Sequence, residues 1–302
     1  MPSLSDSSKQ LTERITRRRL LAGGLAGLGT LTAGGIYALR IEPFWPVLTR
    51  LPMDLPRLDP ELAGLKLVQI SDLHVSTGRT ISYLRKQIDF CNSLAPDLLV
   101  ITGDLVTRGD PRRMEDLAAL VKPLRAKHGV FAVLGNHDYN RFQPARQPDP
   151  RAQRIANQIF DILDANGVQV LRNQCHIVTR GNARVQLVGL DDYWSDNYNP
   201  PAAFTTVDPQ LPCIALCHNP DAIEDLRHLP CDWVLSGHTH GGQVRIPLLG
   251  APLLPVKNRQ YDAGLFHLDE QRLYVNRGLG YLHRIRFNCR PEITEFTLQP
   301  RT

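Results

Sequence analysis

Five short segments of this chain concentrate carboxylates, imidazoles and glycines: Asp72-Leu73-His74, Thr102-Gly103-Asp104, Gly135-Asn136-His137-Asp138, Cys217-His218-Asn219 and Gly237-His238-Thr239-His240-Gly241-Gly242. Asp-x-His and His-x-His set two donor groups at i and i+2, where a strand or its turning end can aim both one way. Any one of these signals is weak, because a lone Asp or His at a strand end more often caps backbone than binds a ligand. Their joint occurrence is not. Asp72, Asp104 and Asn136 converging with His74, His218, His238 and His240 in the absence of a cation would leave carboxylates desolvated and repelling one another. The natural chemistry for such a set is metal binding, and the glycines permit tight turns and close backbone approach to the ligand.

Each segment follows a short apolar run: Leu65–Ile70, Leu98–Thr102, Val130–Leu134, Cys213–Leu216 and Trp233–Leu235. Open α/β sheets place their ligands at such strand ends. Helix-period faces separate the first runs: Ile81, Leu84, Ile88 and Cys91, then Met114, Leu117, Leu120, Val121 and Leu124. A third face, Ile155, Ile159, Ile162 and Leu163, ends at Gly167, a natural helix stop. Alternation of strand and helix predicts an α/β domain with parallel strands. Turn residues at Arg180–Ala183 and Asp269–Gln271 predict two later hairpins, and Ile293, Phe296 and Leu298 an imperfectly alternating final strand.

The 302 residues carry a net charge of +5, but residues 1–40 hold six basic and two acidic side chains, so the remaining 262 residues carry only +1. A body so nearly neutral gives no reason to expect a nucleic-acid partner. The basic excess precedes an uncharged, glycine-rich stretch from Leu20 to Leu39, the pattern of a signal peptide or membrane anchor. Arg17-Arg18 ahead of a weakly apolar core resembles a twin-arginine export signal, read by the export machinery; a plain signal-anchor helix is the alternative. The expected division is 1–40 signal or anchor, 41–64 a proline-rich linker, and 65–302 the catalytic domain, on the extracytoplasmic side of the inner membrane. Six cysteines show no metal-binding spacing, and Cys213 and Cys217 read as small core residues.

The motif set resembles the calcineurin-like metallophosphoesterase superfamily, whose signature is present as Asp72-x-His74, Gly103-Asp104, Gly135-Asn136-His137-Asp138, His218 and Gly237-His238-x-His240. Gly237 to Gln243, Tyr261 to Leu265, Arg277 to Gly280 and Arg286 to Glu292 are similar to its bacterial membrane-associated phosphodiesterase branch. The resemblance implies a mixed-sheet β-sandwich flanked by helices. It implies two divalent metals, one on Asp72, His74, Asp104 and His240 and the other on Asp104, Asn136, His218 and His238. Donors of this intermediate hardness suit Mn, Fe or Zn better than Ca. The implied reaction is attack of a metal-bridging hydroxide on a phosphodiester or pyrophosphate, with a lipid or cell-envelope substrate suggested by the tether. His137 is expected as proton donor to the leaving oxygen, with Asp138 orienting its ring. The rival readings are a UDP-diacylglucosamine-type pyrophosphohydrolase of lipid A synthesis and a non-catalytic envelope binding protein. Candidate substrate contacts outside this set are the loop Tyr139–Pro150, Asp191 to Trp194, Lys257 and Arg259.

Overall fold

The computed structural model describes residues 17–145 and 147–301. The basic segment up to Thr16 and loop residue Arg146 lie outside the described residues. Twelve strands form two six-stranded sheets. The first holds β1 (Val47–Leu55), β2 (Lys66–Ile70), β3 (Leu98–Thr102), β4 (Val130–Val133), β5 (Val168–Val170) and β12 (Glu292–Pro300), in the order β1-β12-β2-β3-β4-β5. The second holds β6 (Gln174–Arg180), β7 (Ala183–Gly189), β8 (Cys213–Leu216), β9 (Trp233–Ser236), β10 (Gly264–Leu268) and β11 (Gln271–Val275), in the order β10-β11-β9-β8-β7-β6. β2 to β5 run parallel, as do β7, β8, β9 and β11. Antiparallel β12, β10 and β6 make both sheets mixed.

Strand alternation sorts the apolar side chains into three layers. Leu67, Val100, Phe131, Leu187, Ile214, Leu235 and Phe296 fill the space between the sheets. Val68, Ile70, Leu99, Ile101 and Ala132 point the other way, onto α2 (Gly78–Ser93), α3 (Met114–Val121) and α4 (Pro150–Ala165). Val188, Ala215, Val234 and Leu273 form the outer layer of the second sheet. Strands buried on both faces read as continuous apolar runs, and these did. The predicted face of α2 is buried as expected. That of α4 is rotated: Ala152, Ala156, Ile159 and Leu163 are buried, with Ile155 and Ile162 only partly covered, because the small alanines let the helix sit close to the sheet. All six cysteines are unpaired thiols.

Residues 41–64 are not a linker. Glu42 is fully buried, and β1 pairs with β12 over nine residues as the edge of the first sheet. The prolines that suggest a connector are compatible with this, since an edge strand leaves one side free of ladder hydrogen bonds and tolerates Pro52. Ahead of β1, residues 21–33 of α1 (Arg17–Ile36) are exposed, and the stretch from Leu21 to Phe44 is long and apolar enough to cross a membrane.

Candidate metal centre

β2, β3, β4, β8 and β9 end at one rim of the sandwich, and the loop after each delivers its motif there. These loops turn so sharply that Asp72, His74, Asp104, His238 and His240 all have positive φ, from 45° to 71°. Left-handed backbone at non-glycine residues stores strain that the surroundings must over-determine. Here the loops are laced together: Asp72 N donates to Gly103 O at 3.0 Å, His74 N to Asp104 O at 3.0 Å, and Gly237 N to His218 O at 2.9 Å. Two glycines make the approach possible. A Cβ on Gly135 would strike the Asp104 carboxylate, and one on Gly237 the side chains of Ser71 and Asp72.

The donors form a continuous chain of close pairs. His240 Nε2 lies 3.4 Å from Asp72 Oδ1 and 3.0 Å from His74 Nε2. Asp104 Oδ2 lies 3.4 Å from His74 Nε2 and 3.3 Å from His218 Nε2, and His218 Nε2 is 3.2 Å from His238 Nδ1. One carboxylate oxygen therefore stands between two clusters, Asp72 with His74 and His240 on one side, His218 with His238 on the other. Its partner Oδ1 accepts from His137 N at 2.9 Å, which fixes the carboxylate.

The residues fit a metal. His218 Nδ1 lies 2.7 Å from Thr102 O, and His238 Nε2 lies 2.9 Å from Pro255 O. Neutral rings that donate outward to carbonyls turn their lone pairs inward, the usual arrangement behind a metal-bound imidazole. Asn136 Nδ2 donates to Arg141 O at 2.6 Å, while its Oδ1 is buried with no hydrogen-bond partner, in the same cavity as Asp104 and His238. A buried amide oxygen without a donor is costly unless a cation takes its lone pairs.

Electrostatics agree. Burial opposes charge on Asp104, yet the imidazoles of His218, His137 and His74 hold its carboxyl well below the usual range. Burial also opposes charge on His218, and Asp104 nonetheless lifts it to about 10, so this ring must give up a proton when a metal takes its Nε2 lone pair. Burial, helped by the neighbouring His218 and His137 rings, pushes His74 and His238 down to about 3, which keeps their lone pairs available.

His137 stands edge-on to His74, ring centres 4.8 Å apart. Its Nδ1 accepts from Arg108 N at 3.1 Å, so the neutral ring carries its hydrogen on Nε2. The expected contact with Asp138 is not made. The Asp138 carboxylate accepts from Leu105 N, Val106 N and Gly135 N at 2.8–3.1 Å, and so ties the β3 and β4 loops together. Three converging N–H groups outcompete the ring for it.

A cavity of about 510 Å³ opens over Asp104, Asn136, His137, His238 and His240. Its walls are apolar: Phe142, Trp194, Val244, Leu253, Leu282 and Ile285. Trp194 packs edge-on against His238 at 4.8 Å, so part of the Asp191–Trp194 expectation reaches the site. Asp191 instead binds Arg172 Nε at 3.1 Å. Of the loop Tyr139–Pro150, Phe142 lines the cavity while Arg141 pairs with Asp196 at 3.4 Å. Arg259 spends its guanidinium on Ala251 O and Pro252 O, and Lys257 lies over the Tyr193 ring. Sequence reasoning did not assign a role to Arg286. It is completely buried, donates to Arg277 O, Gly280 O and Cys289 O at 2.6–3.1 Å, and reaches His240 Nδ1 at 3.4 Å.

Fold and donor set together describe a metal-dependent hydrolase built on a two-sheet sandwich. The chain belongs to the calcineurin-like phosphoesterase family, whose profile matches residues 65–242. It is 34% identical to phosphodiesterase YaeI of Escherichia coli K12, over 94% of this chain and 99% of that one. It is 35% identical to the UDP-2,3-diacylglucosamine pyrophosphatase LpxG of Chlamydia muridarum, over 85% and 91% respectively. An uncharacterized metallophosphoesterase of Bacillus subtilis, YkuE, is 31% identical over 95% and 99%. The protein is a phosphoric-ester hydrolase.

Proposed function

We propose that the protein is a two-metal phosphoesterase that hydrolyses a phosphodiester or pyrophosphate bond of a lipid or cell-envelope molecule, outside the cytoplasmic membrane. The observation that carries the reaction is the position of Asp104 Oδ2, within 3.4 Å of both His74 and His218. Asp72, His74, Asp104 and His240 would hold one ion, and Asp104, Asn136, His218 and His238 the other, with Mn, Fe or Zn suited to these donors. When bound, the ions supply Lewis-acid stabilisation and lower the pKa of water for in-line attack. His137 offers Nε2–H to the leaving oxygen, and Asp138 holds the loop that carries it. The apolar cavity wall and the membrane-length N-terminal segment support a lipid-linked substrate. Arg17-Arg18 before the apolar stretch supports export by the twin-arginine route.

The likeness to LpxG keeps a nucleotide-diphosphate lipid beside the phosphodiester as substrate class. The test is hydrolysis by the full-length, Mn-loaded protein of three compounds: bis-p-nitrophenyl phosphate, a glycerophospholipid diester and UDP-2,3-diacylglucosamine. Chelator should abolish every activity. Turnover of the soluble diester alone would reject the lipid assignment. An alkaline phosphatase fused to the C-terminus that stays inactive in cells would reject the extracytoplasmic one.

A further inference from the structure

The loop from Val244 to Leu254 has a composition at odds with its position. Beyond the N-terminal segment, four of the nine large apolar side chains exposed among the described residues sit in it: Ile246, Leu248, Leu249 and Leu253. Leu248 is fully exposed, and Leu249 and Leu253 are nearly four-fifths so. The turn is closed, not frayed, since Ile246 N and Gly250 O, and Gly250 N and Ile246 O, are both 2.9 Å apart. Leu248 sits at its tip with φ of 69°, so strained backbone holds an apolar side chain outward.

The loop is also fastened to the base of the apolar N-terminal segment. Arg245 N donates to Phe287 O at 2.8 Å, and Gln243 Nε2 to Ile285 O at 2.7 Å. One residue on, Arg286 N donates to Ala38 O at 2.9 Å, and Asn288 N to Glu42 Oε2 at 3.1 Å. Phe44 packs against Tyr83 and Tyr281, which makes this base a seat and not a tether. Trp45 and the exposed Arg40 and Arg284 flank it, the residue types that sit at the headgroup level of an anionic bilayer.

We infer that the Ile246–Leu254 loop is a second membrane contact, which dips into the same leaflet face from which α1 emerges and seats the mouth of the cavity at the lipid surface. The inference rests on the reading of α1 as a membrane anchor. The occupant is the bilayer and not a partner protein, because residues 285–288 hydrogen-bond both the loop and the helix base, and the anchor reading puts that base at the lipid surface. Leu253 and Leu254 belong both to this loop and to the cavity wall, so an amphiphile could pass from the leaflet to the metal floor along an apolar surface.

The test uses full-length protein in nanodiscs of phosphatidylethanolamine and phosphatidylglycerol. A polarity-sensitive dye is attached at Leu248→Cys, with Asn182→Cys as a control at the opposite end of the parallel strands. Blue-shifted emission at 248, quenched by acyl-chain spin-labelled lipids, with neither effect at 182, is the expected result. Water-like emission at 248 while the protein stays in the disc overturns the loop contact and leaves the anchor intact. A blue shift that spin-labelled lipid does not quench also overturns it, in favour of a second copy. Release of the protein from the disc by alkaline wash overturns both readings. In the same discs, Leu248→Asp with Leu249→Asp should slow hydrolysis of an embedded phosphodiester lipid about fivefold or more. Soluble bis-p-nitrophenyl phosphate should be cleaved at the native rate, since neither side chain lines the cavity.

Discussion

The floor and the wall of one cavity are built on opposite principles. The floor is polar, strained and over-determined: five residues with positive φ, held by cross-loop hydrogen bonds, two glycines with no room for a methyl group, and a carboxylate fixed through Oδ1. The wall is apolar and supplied by loop segments far apart in sequence, Phe142, Trp194, Leu253 and Ile285 among them. The contrast teaches that this molecule holds its metal donors by interlocking polar contacts and builds the space above them from apolar loop segments that need not interlock.

The contrast breaks first at Asp104. Asp104→Asn should abolish turnover and reduce metal content, because a neutral amide cannot compensate two cations at one oxygen. Metal analysis with a kcat measurement checks it; full metal content and near-native turnover would refute the shared-oxygen reading. His137→Ala should keep the metals and lose roughly 10²–10⁴-fold on substrates with poor leaving groups, but much less on p-nitrophenyl esters. Measured kcat/KM across leaving groups of graded pKa that falls uniformly would assign His137 to positioning alone. Asp138→Asn removes one acceptor oxygen from three backbone donors and should lower stability by about 1–3 kcal/mol. Its leaving-group dependence should match the native enzyme; a His137-like profile would restore the ring-orienting role that the hydrogen bonds contradict. The smallest effect belongs to the wall. Leu253→Ser should raise KM for a long-chain phosphodiester more than for bis-p-nitrophenyl phosphate, and equal shifts would remove Leu253 from substrate recognition.

This division also explains what could be read from the chain alone. The seven candidate metal donors are legible because a metal needs particular atoms, and short loops after strands need glycines beside them. The strands are legible because burial on both faces leaves unbroken apolar runs. Asp138 was misassigned because spacing cannot tell which of two neighbours a carboxylate prefers, and two of its three amide donors, Leu105 and Val106, lie in a loop distant in sequence. The segment 41–64 was misread because its prolines obey edge-strand rules that only the pairing with β12 reveals. Phe142 was flagged only as part of its loop, and Leu253 and Ile285 gave no signal, since apolar side chains in loops look alike until a cavity gathers them.

The pairing of β1 with β12 has a temporal consequence. Arg50 meets Glu295 across 245 residues of sequence, at a sheet edge whose other neighbour is β2. During synthesis β1 leaves the ribosome long before its partner exists, so the edge closes only after nearly the whole body has been made. The same holds for Glu42, whose carboxylate waits for Asn288 and Cys289. The apolar helix is thus unmoored through most of translation and becomes a rigid mount only when the rest is folded. Seating the base of the apolar helix and finishing the sheet are one event.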